Sequence, residues 1–167
     1  VRTNTPAVRE ARKTVLELII SNHPYECLTC ERSGNCELQE LADRFNIRSI
    51  EYEGEKSEFP KDSSSPSIVR NPSKCVLCRR CVNVCREVQS VCALAPNDRG
   101  FGTMVGPAFA DDLMQAVCAM CGQCALVCPV GALTEHDATE EVWAALADPT
   151  KHVVVQTAPA VRASIGE

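Results

Sequence analysis

Apolar residues recur at helical spacing near the start of the chain. Val8, Ala11, Val15, Leu18 and Ile19 form one stripe, and Thr5-Pro6 ahead of them offers an N-cap followed by proline at the first helical position. The pattern predicts a helix with one buried face, ending at Ser21-Asn22 and delivering the chain to His23. A second helix follows Cys36, with Leu38, Leu41, Ala42 and Phe45 on one side. Two helices around a loop make a unit of about fifty residues, too small for much of a core. Further along the signals shorten. Ser67-Ile68-Val69-Arg70 reads as a strand, residues 82–88 as a helix, and residues 91–95 and 103–105 as strands around a turn through residues 97–102. Pro129-Val130-Gly131-Ala132-Leu133-Thr134 reads as a turn and a short strand. Residues 139–147 form one more helix, with Val142, Trp143 and Leu146 inward and Pro149 as its stop. Val153-Val154-Val155 reads as a buried strand, and Thr157-Ala158-Pro159 as the entry to a helix.

This pattern predicts an α+β protein: a small helical domain over residues 1–52, a linker over 53–67, a second domain over 68–137, and the beginning of a third over 138–167. The linker is acidic and then Ser/Pro-rich (Asp62-Ser63-Ser64-Ser65-Pro66), and a long surface loop within one domain is the competing reading. The absence of Met at the start and the unfinished strand and helix at the end suggest an internal piece of a longer polypeptide.

Composition changes the picture through one residue type. Twelve cysteines lie among 167 residues, with only one Trp, two Tyr and four Phe to fill a core. That usage is several times the ordinary level, and since the first residues show no apolar run of a secretory signal, disulfides are the less expected reading. No run of apolar residues is long enough to span a membrane. The net charge of -5 argues against nucleic-acid binding driven by phosphate neutralisation. The expected setting is the cytoplasm.

Eleven of the cysteines fall into three groups. Cys75, Cys78, Cys81 and Cys85 repeat the spacing of Cys118, Cys121, Cys124 and Cys128, the latter followed by Pro129. Three thiolates two residues apart on a curled loop reach irons of one cubane, and the fourth points to the other cluster. The spacing therefore assigns one [4Fe–4S] cluster to Cys75, Cys78, Cys81 and Cys128, and another to Cys118, Cys121, Cys124 and Cys85. Zinc sites usually present two separated Cys pairs instead. The remaining group is His23, Cys27, Cys30 and Cys36. By itself it fits a Cys3His zinc site as well as a cluster; beside two ferredoxin runs, a third [4Fe–4S] cluster with one histidine ligand is the better reading. Pro24 holds His23 extended. A neutral imidazole in place of a thiolate leaves that cluster more positive and raises its potential, by analogy with Rieske centres. Arg79, Arg80 and Arg86 lie inside or beside the second run, either offsetting cluster charge or simply solvated.

At this point the residues resemble a known family. Thr3-Asn4-Thr5-Pro6, His23-Pro24, Cys27, Cys30 and Gly34-Asn35-Cys36-Glu37-Leu38-Gln39 are similar to the His-ligated cluster domain of complex I large subunits, formate dehydrogenases and [FeFe] hydrogenases. The two ferredoxin runs narrow this to the last two families. The tail, Val153-Val154-Val155-Gln156-Thr157-Ala158-Pro159-Ala160-Val161-Arg162 with Ile165-Gly166-Glu167, looks like the opening of the hydrogenase catalytic domain. The resemblance implies the electron-relay region of an enzyme that interconverts dihydrogen with protons and electrons at an H-cluster. Ligands of that cluster, and the family's [2Fe–2S] domain, would lie outside this chain, because Cys92 is the one spare thiol and cannot hold an H-cluster. The implied partners are a flavin- and NAD(P)-binding iron–sulfur subunit or a ferredoxin. The equivalent region of a molybdenum or tungsten formate dehydrogenase and a free-standing electron carrier are the alternatives.

Cys92 itself reads as a buried hydrophobe. His136 and His152 fall outside any ligand spacing, and Asp111-Asp112 reads as a solvated helix start.

Overall fold

A computed structural model describes residues 2–165. Helix α1 (Pro6–Asn22) starts where Thr5 Oγ1 accepts the Val8 N–H and ends at His23, which is extended. Helix α2 (Glu37–Arg44) follows Cys36 directly. The two helices meet through Leu38, packed with Leu16, Ile19 and Ile20 and with Val130 and Ala132. This corrects the predicted stripe. Val15 and Leu18 stay about half exposed. Residues 15–20 are apolar on more than one side, and the position of Leu38 selects the Leu16–Ile19–Ile20 side.

Strand β1 (Ile68–Arg70) pairs antiparallel with the distant β4 (Leu133–Glu135), Val69 opposite Thr134. Strand β2 (Ala95–Asn97) pairs antiparallel with β3 (Met104–Gly106), Pro96 opposite Val105. The predicted strands at 91–95 and 103–105 therefore shift towards the C-terminus, and residues 91–94 stay unpaired. The two short helices α3 (Arg80–Asn83) and α4 (Gln123–Leu126) each begin inside a Cys run. The predicted helix over 82–88 is replaced after Asn83 by a wider π-turn, Val84–Val88, in which Gln89 N–H reaches back to the Val84 carbonyl. The central core gathers Ile68, Val82, Leu94, Val105, Leu113 and Leu133 around Cys81 and Cys124.

Residues up to His136 form one compact unit. Segment 53–67 is tied into it: Asp62 bridges Arg70 by backbone hydrogen bonds of 2.7 and 2.8 Å, and Ser65 is 1% exposed.

The second unit, from Asp137, contains α5 (Thr139–Ala147) and α6 (Pro159–Ile165). Two expectations fail here. Val142, Trp143 and Leu146 are more than half exposed rather than inward, and Val153-Val154-Val155 is not a strand. The tail residues Gly166 and Glu167 lie outside the described residues. Among the described residues, no helix is long and apolar enough to cross a membrane.

Candidate functional site

The local backbone of the two ferredoxin runs is the same. Leu77 and Arg79 in one, Met120 and Gly122 in the other, occupy left-handed φ, two and four positions after the first cysteine of each run. Left-handed residues at alternate positions curl the loop tightly and turn amides inward. Leu77 N–H donates to Cys75 Sγ at 3.4 Å, and Met120 N–H to Cys118 Sγ at 3.4 Å. The π-turn sets Cys85 apart from its own run: its carbonyl accepts from Val91 N–H at 3.0 Å and its Sγ from Ala93 N–H at 3.3 Å. Such widened turns are frequent at functional sites.

Three cavities result, and each is bordered by four of the predicted donors. Cys75, Cys78, Cys81 and Cys128 line a space of about 400 Å³, counting its open mouth. Cys118, Cys121, Cys124 and Cys85 line one of about 360 Å³. His23, Cys27, Cys30 and Cys36 line a third of about 290 Å³. The fourth cysteine of each ferredoxin run thus stands with the other run's three. Among the described residues, no three His, Cys, Asp or Glu side chains converge closely enough to hold a single metal ion. The donors surround spaces instead.

The electrostatics fit groups that bring their own positive charge. Burial pushes the Cys81 thiol up to about 12, with Cys75, Cys128 and Cys78 adding to it, and burial pushes Cys124 to about 11. Cys75 moves the same way, again chiefly by burial. Thiols held this way ionise only when iron displaces their protons. Burial, then the Lys74 and Lys56 cations, outweigh Glu26 and shift His23 down, towards the neutral imidazole that can ligate. Soft sulfur donors with one imidazole, around spaces larger than an ion, suit iron–sulfur clusters.

Several lining residues escaped the sequence reading. Lys74, Arg32 and Gly131 border the His23 cavity. The Arg32 guanidinium donates to the carbonyls of Ala125 and Cys128, both at 2.9 Å, joining the first loop to the end of α4. Lys74 pairs with Glu26 at 3.3 Å. Arg32's position inside the first ligand loop is a signal that could have found it; nothing local points to Lys74 or Gly131, which are brought in by tertiary packing. Of the three flagged arginines, Arg79 lines the Cys75 cavity, Arg80 pairs with Glu37, and Arg86 pairs with the neighbouring Glu87 in solvent. Cys92 is exposed at φ 58°, not buried, because it sits on the outer side of the turn that follows Cys85. Asp111 and Asp112 are exposed but start no helix, and His152 is exposed.

Comparison with known proteins finds iron–sulfur binding regions in this chain. Residues 12–51 match the model of the NADH-ubiquinone oxidoreductase-G iron–sulfur binding region, and residues 114–134 that of the 4Fe-4S binding domain. The chain is 54% identical over its full length to NADP-reducing hydrogenase subunit HndD of Solidesulfovibrio fructosivorans, covering 28% of that protein. It is 36% identical, again over its full length, to iron hydrogenase 1 of Clostridium pasteurianum, covering 29% of it. The NADH-ubiquinone oxidoreductase 75 kDa subunit of Acanthamoeba castellanii is 36% identical over 80% of the chain, which covers 19% of that protein. The chain thus spans less than a third of these relatives. Its fold also matches a crystal structure of an NAD+-reducing [NiFe]-hydrogenase, with TM-score 0.74 and 27% identity over 81% of this chain and 58% of that one. The chain is similar along its whole length to an NADP-reducing hydrogenase subunit and to an iron hydrogenase, and two stretches of it match iron–sulfur binding regions.

Proposed function

We propose that this chain is the wiring of a hydrogenase subunit, passing single electrons between a redox partner and an H-cluster held elsewhere in the polypeptide. The observation that carries it is the partition of twelve predicted donors into three cavities of four. His23, Cys27, Cys30 and Cys36 would hold the first [4Fe–4S] cluster, Cys75, Cys78, Cys81 and Cys128 the second, and Cys118, Cys121, Cys124 and Cys85 the third. A bound cubane supplies a one-electron couple whose potential depends on ligand type, hydrogen bonds to sulfur and burial. The chain's own residues supply those controls. Leu77, Met120 and Ala93 donate to sulfur, core side chains exclude water, and His23 stays neutral.

In this reading residues 1–52 are the His-cluster domain, 53–67 its connection, 68–137 the two-cluster domain and 138–167 the opening of the catalytic domain. The partner is a flavin- and NAD(P)-binding iron–sulfur subunit or a ferredoxin, and the setting is the cytoplasm. Two hydrogenases match the chain throughout, whereas the NADH-ubiquinone oxidoreductase relative matches 80% of it, which favours the hydrogenase reading. The formate dehydrogenase and free-carrier alternatives have no comparable support. Anaerobic purification followed by iron, sulfide and zinc analysis tests the proposal. It requires about twelve irons and twelve sulfides per chain, the content of three cubanes; colourless or zinc-loaded protein would sink it.

A further inference from the structure

Gly131 stands where two of the cavities adjoin. It lines the His23 cavity, while its neighbours Val130 and Ala132 line the Cys75 cavity. Its backbone does not require glycine, for it is not among the residues at positive φ. Space requires it. A Cβ built at this position would lie 2.8 Å from Cys30 Sγ, with Lys74 Cδ at 3.7 Å and Arg32 Cγ at 3.8 Å.

The turn carrying Gly131 has little freedom to retreat. Val130 and Ala132 are 2% and 4% exposed and pack against Leu38. Glu37 N–H donates to the Pro129 carbonyl at 3.0 Å, and Asn71 N–H to the Ala132 carbonyl at 2.8 Å. The added atom would therefore displace Cys30, on its more exposed loop, rather than the turn.

We propose that Gly131 is a positioning residue: by carrying no side chain, it lets the Cys30 sulfur seat against the wall of the Cys75 cavity and so sets how closely the first and second redox centres approach. This rests on the relay function proposed above. Electron tunnelling falls off exponentially with separation, so a small displacement at this contact slows transfer between the two centres without touching either one's remaining ligands.

The test compares Gly131→Ala with Gly102→Ala in the full, anaerobically purified chain. Gly102 has nothing within 4 Å of its added Cβ and no positive φ, so it reports the generic effect of a methyl group. Gly131→Ala is expected to shift or abolish the EPR signal of the His-ligated cluster and weaken its magnetic coupling to the neighbouring cluster. The signals of the other two clusters persist, and Gly102→Ala matches the parent chain. A Gly131→Ala chain with unchanged signals, midpoint potentials and coupling overturns the proposal alone. A parent chain lacking the His-ligated cluster overturns the relay reading with it. Should Gly131→Ala fail to fold, it is compared in the Cys30→Ala background: a double variant that folds as well as Cys30→Ala alone supports the Cβ–Sγ conflict, and one that loses more than Cys30→Ala alone refutes it.

Discussion

Asp62 and Arg70 form a buried ion pair, Oδ2 to Nε 3.3 Å, with side chains only 4% and 6% exposed. The carboxylate also accepts from Leu113 N–H at 2.9 Å and from the amide and hydroxyl of Ser64. The guanidinium reaches the Asp111 carbonyl at 3.3 Å and lines the Cys75 cavity. Gly106 leaves it room, since a Cβ there would sit 2.6 Å from Arg70 Nη1. One pair thus clamps segment 53–67, β1, β3 and the approach to Cys118 together.

Breaking such a pair leaves a charge buried without its partner, which costs about 3–5 kcal/mol. Asp62→Ala should lose that much stability in denaturant unfolding of the loaded chain; a loss below about 1 kcal/mol would contradict the clamp. Burial pushes the Asp62 carboxyl up, but the Ser64 and Leu113 hydrogen bonds and the Arg70 charge outweigh it and hold it below the usual range. A carboxyl depressed by folding stabilises the protein fully above its unfolded value, about 3.9, and loses that contribution as pH falls through its folded one. Stability should therefore fall more steeply with acid in the parent chain than in Asp62→Asn.

The proposed exchange of Cys85 and Cys128 between runs has a spectroscopic signature. Cys128→Ala should remove or alter the same EPR signal as Cys78→Ala, and Cys85→Ala the same signal as Cys121→Ala. If Cys128→Ala instead behaves like Cys121→Ala, each run holds its own cluster and the crossed assignment is wrong.

On the proposed ligation, His23 supplies a neutral donor where a thiolate would add a negative charge. His23→Cys should lower the midpoint potential of the first cluster in a redox titration followed by EPR, leaving the other two unmoved. An unchanged or raised midpoint counts against histidine ligation.

Leu38 joins α2 to α1 and to the turn before β4. Leu38→Ala should cost about 2–5 kcal/mol in unfolding. Because its neighbours include Cys36, iron should be lost from the His23 group first as denaturant rises; equal loss from all three would show that Leu38 supports the fold generally.

Much of the candidate site's grouping was legible in the sequence, for a physical reason. Ligand spacing within a curled loop is a local property, so Cys75-x2-Cys78-x2-Cys81 already implies its geometry. Helix α1 was legible in extent but not in orientation: Thr5-Pro6 and His23-Pro24 bracket it locally, whereas the face it buries depends on Leu38, some twenty residues away. Cys92 was misread because apolar neighbours suggest burial, while its side of the turn depends on how Cys85 is held. The valines at 153–155 were read as a strand from β-branching alone, which supplies propensity but no pairing partner.

By itself the sequence determined the candidate donors, one imidazole and eleven thiols, set at spacings that short loops impose through bond lengths and turn geometry. Tertiary structure alone decided who shares a wall. It placed Gly131 and Lys74 against the His23 cavity, ran Arg32 to the Cys128 carbonyl, and buried Asp62 against Arg70. Those contacts join residues far apart in the chain, and their positions are set by packing and by the need to partner buried charge, which no local pattern encodes.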